Sequence, residues 1–101
     1  MFVADTHPLV WHATKKYHQL SKKAATAFEE AESGQTLIYV PTAVFWEIAR
    51  LHNKGSVILP DTFARWAGQL LQKDGFSELK LDVPIIADST AYGFNKDLLT
   101  M

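Results

Sequence analysis

A chain of 101 residues, 48% hydrophobic and 21% charged, has room for one compact domain and no second. It contains no cysteine, which excludes disulfides, thiolate nucleophiles and Cys-type zinc sites and agrees with a reducing cytoplasm. The net charge of -1 argues against a generally basic nucleic-acid-binding surface, and with no apolar run near the roughly 20 residues that span a bilayer the chain reads as soluble.

Phe2 to Asp5 form a short apolar run ending in an acid, which predicts a buried strand leading directly into a helix. Asp5 also interrupts the apolar stretch that a signal peptide needs. Pro8 suits the first turn of that helix, where its missing N–H costs nothing. His7 and Trp11, four residues apart, read as packing partners on it. From Thr6 to Phe28 there is no acid, and Lys15, Lys16, Lys22 and Lys23 cluster with His12 and His18. Such a stretch can follow phosphates, or can simply be a solvated face.

Ser21 predicts the N-cap of a second helix, whose Ala24, Ala25, Phe28 and Ala31 recur at helical spacing before Gly34 stops it. Thr36 to Val40 is continuous and β-prone, as in a parallel strand buried on both faces. Pro41 and Thr42 end that strand and cap a helix over residues 43–53, which closes at Lys54-Gly55. This helix is apolar nearly all round, so it is expected to be central and buried, with Trp46 in the core. A fourth helix is predicted over 61–73, capped by Asp61, with Phe63, Trp66, Leu70 and Leu71 as its core stripe and Gly75 at its end. A half-exposed strand over 76–81 and a last helix over 84–92 complete the order. Strands alternating with helices define an α/β layer fold with a mostly parallel sheet.

Such sheets place ligands at the carboxyl ends of their strands. Asp5 falls there, and so does the start of the helix that carries Glu47. Asp5 alone is explained equally well as a helix cap. Glu47 lies among Val44, Phe45, Trp46, Ile48 and Leu51, where an ionised carboxylate needs a compensating partner. Arg50 is one candidate; a divalent cation shared with Asp5 is the other, because Mg²⁺ accepts a few carboxylates and keeps several waters. The five glycines are isolated, so neither a dinucleotide fingerprint nor a phosphate-binding loop is present, and there is no Gly-x-Ser-x-Gly elbow. The four histidines form no His-x-x-x-His pair, which disfavours zinc.

Val3-Ala4-Asp5-Thr6-His7-Pro8-Leu9-Val10-Trp11, Leu20-Ser21-Lys22-Lys23-Ala24 and Phe45-Trp46-Glu47-Ile48-Ala49 with Lys54-Gly55, in that order, resemble the PIN domains of VapC-type toxins. The resemblance implies a three-layer α/β/α fold and an Mg²⁺- or Mn²⁺-dependent endoribonuclease, usually dimeric, cytoplasmic and held inactive by a cognate antitoxin. It carries Asp5 over as the first acid, Glu47 as the second and Thr6 as the hydroxyl residue that supports the first. Asp97 matches the first Asp of the family's next motif, while Thr100 stands where the third metal ligand falls in relatives. The family's C-terminal strands and fourth acid are missing, so residues 1–101 are expected to form a single incomplete domain with an open edge at the first strand. The expected function is a truncated ribonuclease that binds metal weakly and has little activity alone. The alternative is an antitoxin-binding or heterodimerising protein without catalysis. A third possibility is an unrelated interaction module in which Asp5 caps a helix and Glu47 pairs with Arg50.

Overall fold

The computed structural model describes residues 1–80. The expected last helix over 84–92, Asp97 and Thr100 lie outside the described residues. Within them, β1 (Phe2–Val3), β2 (Ile38–Pro41) and β3 (Phe76–Leu79) form one parallel sheet in the order β1-β2-β3. Phe2 pairs with Ile38, and Ile38 with Phe76. Helices α1 (Thr6–Ala13) and α2 (Lys22–Glu32) connect β1 to β2, and α3 (Thr42–Asn53) and α4 (Phe63–Gln72) connect β2 to β3. The chain is α/β, as its alternating periodicities predict.

Local punctuation explains most boundaries. Ser21 accepts a 3.0 Å hydrogen bond from the Ala24 N–H and starts α2. Gly34 and Gly55 follow α2 and α3 with φ of 76° and 80°, a left-handed conformation that costs glycine nothing. At the end of α1 the same geometry falls on Lys15, with φ 60°. The Lys16 N–H there bonds the Trp11 carbonyl at 2.8 Å and the Lys15 N–H the His12 carbonyl at 3.3 Å, completing a Schellman motif without glycine.

Five expectations are corrected. The cap of α4 is Thr62, which accepts from the Arg65 N–H at 3.3 Å; Asp61 instead accepts from the Thr62 N–H. Thr42 is the first residue of α3 and supplies no cap; its hydroxyl donates to Glu78 on β3 at 2.8 Å. Gly75 does not end α4, which closes at Lys73. A Cβ on Gly75 would fall 2.0 Å from the Ala31 carbonyl oxygen, so this glycine lets the start of β3 press against the end of α2.

The fourth correction concerns α3. Its apolar circumference suggests complete burial, yet only Phe45 and Ile48 are buried, and Trp46 is 69% exposed. Phe45, Phe63 and Trp66 make an aromatic cluster instead, with Phe45 edge-on to Trp66 at 6.1 Å. Trp66, at 7% exposure, is the core residue expected. Leu71 of the expected α4 stripe is exposed. The centre of the core gathers Leu9, Phe28, Ile38, Val40 and Ile48, each essentially sealed from solvent.

Candidate functional site

The parallel sheet fixes where the first acid lies. The Ala4 N–H bonds the Tyr39 carbonyl at 2.8 Å, so β1 delivers Asp5 at its carboxyl end, directly before α1. Asp5 is exposed and is the N-cap residue of α1, its Oδ1 accepting from the Thr6 N–H at 2.8 Å. The capping explanation of Asp5 is therefore realised, and it leaves the carboxylate facing solvent at the sheet rim.

Thr6 is buried, and it joins the two acids. Its N–H donates to Asp5 while its Oγ1 donates to Glu47 Oε2 at 3.1 Å. Glu47 is half-buried, so the carboxylate keeps access to water and does not carry the full cost of an interior charge. Arg50, its expected structural partner, lies with its guanidinium 5.9 Å from the Trp46 ring centroid, a cation–π placement on the exposed side of α3.

This pair of carboxylates with a hydroxyl between them is an all-oxygen donor set, the chemistry that suits Mg²⁺ or Mn²⁺ in preference to softer ions. Among the described residues no group of three or more His, Cys, Asp or Glu converges on one point. Two carboxylates are compatible with a cation that retains much of its hydration.

The basic residues divide. Lys15, Lys16, Lys22 and Lys23 are all exposed. Lys22 and Lys23 border a shallow depression with Phe2 and Glu30. Lys16 instead borders a groove between α1 and the end of α3 that also contains His7 and Trp11. His7 and Trp11 stack at 6.0 Å, the packing relationship their spacing predicts.

Sequence reasoning missed two polar clusters. In one, Glu78 on β3 meets the Thr42 hydroxyl; the signal was that Glu78 shares a strand face with buried Phe76 and is polar nonetheless. In the other, Glu32 accepts from Lys73 Nζ at 2.8 Å and lies 2.9 Å from His12 Nε2. His12 also stacks on Phe28 at 4.4 Å, so it belongs to this structural cluster and not to a phosphate-binding face. No local pattern pointed to that.

No known protein family, curated protein or solved structure matches the chain. Among the described residues no helix is long and apolar enough to cross a membrane.

Proposed function

We propose that this protein is a PIN-type metal-dependent endoribonuclease resembling the VapC toxins, with the three-layer fold of that group. Asp5 and Glu47 hold Mg²⁺ or Mn²⁺, and Thr6 positions them. The observation that carries the reading is the double engagement of Thr6, whose backbone N–H binds Asp5 and whose hydroxyl binds Glu47 at the carboxyl end of β1. A buried threonine bonded to two acids from distant parts of the chain keeps both near one residue, where cap formation alone needs only Asp5. The cation, when bound, supplies positive charge to a phosphate and acidifies water for attack on phosphorus. Thr6 keeps the Glu47 side chain oriented, and the exposed Asp5 carboxylate faces the solvent through which a strand of RNA approaches. With Thr100 where relatives carry their third acid, metal affinity is low and cleavage by the chain alone is slow.

Titration with Mn²⁺ followed by electron paramagnetic resonance tests this directly. Asp5→Ala and Glu47→Ala should each reduce bound Mn²⁺ and metal-dependent cleavage of single-stranded RNA. Equal Mn²⁺ binding by the parent and both variants would sink the reading.

A second reading is a partner-binding protein without catalysis, one that engages an antitoxin or pairs with an intact toxin. The exposed Trp46, with Arg50 against it, supports it, since Trp and Arg are the residues that most often anchor protein interfaces. This reading expects the chain to relieve antitoxin sequestration of an intact toxin, and Trp46→Ala to abolish the relief.

A further inference from the structure

The groove between α1 and the C-terminal part of α3 encloses about 560 Å³, within the range of roughly 300–1,000 Å³ typical of small-ligand sites. It is lined by His7 and Trp11 of α1, by Thr14 at the cap of that helix, by Leu51 of α3 and Gly55 just after it, and by Lys16. Among the described residues none that lines it is acidic. Its position matters as much as its composition. His7 directly follows Thr6, and Leu51 lies one helical turn beyond Glu47, so two of the lining residues are near neighbours in the chain of the residues that tie the acids together. The left-handed Lys15, with φ 60°, ends α1 directly before Lys16, which lines the groove. An aromatic pair, the aliphatic side chains of Val10 and Leu51 and, among the described residues, a lysine in a lining that contains no acid complement the base and the phosphate of a single-stranded nucleic acid.

We propose that this groove is a single-stranded RNA subsite, in which the His7–Trp11 stack takes a base and Lys16 takes a phosphate. That the strand continues toward Asp5 and Glu47 rests on the nuclease reading; binding in the groove does not. Chain charge explains why the subsite is local. A net charge of -1 provides no general attraction for RNA, so affinity has to come from a few placed groups.

The test is fluorescence anisotropy of a labelled ten-nucleotide single-stranded RNA with the full chain in EDTA, where metal-dependent cleavage is silent. Lys16→Glu and His7→Ala change exposed side chains and should each weaken binding at least about fivefold. Lys22→Glu makes the same charge change outside the groove and should cost less than about twofold. A 4-thiouridine strand should photo-cross-link to His7 or Trp11. Equal losses in Lys16→Glu and Lys22→Glu would overturn the proposal, as would tighter binding of the same-sequence DNA. Absence of a cross-link at His7 and Trp11, the result expected of a groove that takes a polypeptide, would also overturn it. Asp5→Asn separates the two claims. RNA binding that depends on Lys16 without any metal-dependent cleavage leaves the subsite standing and removes the nuclease; cleavage that needs Asp5 but ignores Lys16 does the reverse.

Discussion

Thr6 Oγ1 donates a 3.1 Å hydrogen bond to Glu47 Oε2 across 41 positions of sequence. This bond fixes α3 to the start of α1 and gives Glu47 a defined direction. Thr6→Val keeps the shape and the N–H that Asp5 accepts, and removes only the hydroxyl. It should cost about 1.5–3 kcal/mol in urea denaturation, the range for a bond to a charged acceptor, and should reduce Mn²⁺ binding. Thr6→Ser should recover most of both. An unchanged denaturation midpoint in Thr6→Val would mean that the hydroxyl does not hold Glu47 in solution.

Trp46 of α3 and Trp66 of α4 should respond oppositely to truncation. Trp66 is packed against Phe45 and Phe63, and Trp66→Ala should cost about 3–5 kcal/mol, the usual range for emptying a buried aromatic site. Trp46 is 69% exposed, and Trp46→Ala should change stability by less than about 0.5 kcal/mol. Thermal unfolding followed by circular dichroism measures both. A comparable loss in the two variants would contradict the outward placement of Trp46.

That contrast shows where sequence reasoning succeeds and stops. Ser21, Gly34 and Gly55 are readable because capping and left-handed turns are decided within a few residues. Asp5 and Glu47 are readable because an acid at a strand end and an acid in an apolar helix both depart from the local pattern. Trp46 is not, since a helix apolar all round does not reveal which of its sides meets the sheet. Nor is the groove at His7, Trp11 and Lys16, whose second wall comes from α3 and exists only after packing. The Glu32 cluster draws on partners 20 and 41 positions away and leaves no local trace.

Gly75 is the most constrained glycine in the described residues. A Cβ there would lie 2.0 Å from the Ala31 oxygen and 2.6 Å from its carbonyl carbon, both backbone atoms that cannot swing aside. Either α2 retreats or β3 loses its register, in which the Gly75 carbonyl accepts from the Ile38 N–H at 2.7 Å. Gly75→Ala should cost about 3 kcal/mol, the upper part of the overpacking range. A Gly68→Ala control, with open space around its Cβ, should be neutral or slightly stabilising. Equal stability of the two variants would refute the close approach.

Lys15 offers the converse change. It takes a φ of 60° at a helix end where glycine is the usual occupant. Lys15→Gly should stabilise the chain by about 0.5–1 kcal/mol, the cost of the left-handed conformation less the added freedom of the unfolded glycine. Chemical denaturation would show it. If stability falls instead, the lysine side chain contributes more than its backbone costs.

Glu32 ties three helices together, since His12 belongs to α1 and Lys73 caps α4. Burial raises the Glu32 carboxyl, but hydrogen bonds and charge from Lys73 and His12 outweigh it and hold the group below its ordinary 4.5. A folded-state pKa lowered in this way means that the ionised form is favoured by folding. The stabilisation is therefore complete above the ordinary value and is lost as pH falls through the lower, folded-state value. Because the group is about a third exposed, solvent screening limits the effect to less than about 1 kcal/mol. Glu32→Gln should be less stable than the parent at pH 7, and the difference should be smaller at pH 3. Urea denaturation at both values provides the comparison. A difference that is the same at pH 3 and pH 7 would mean that Glu32 acts through packing against its neighbours and not through its charge.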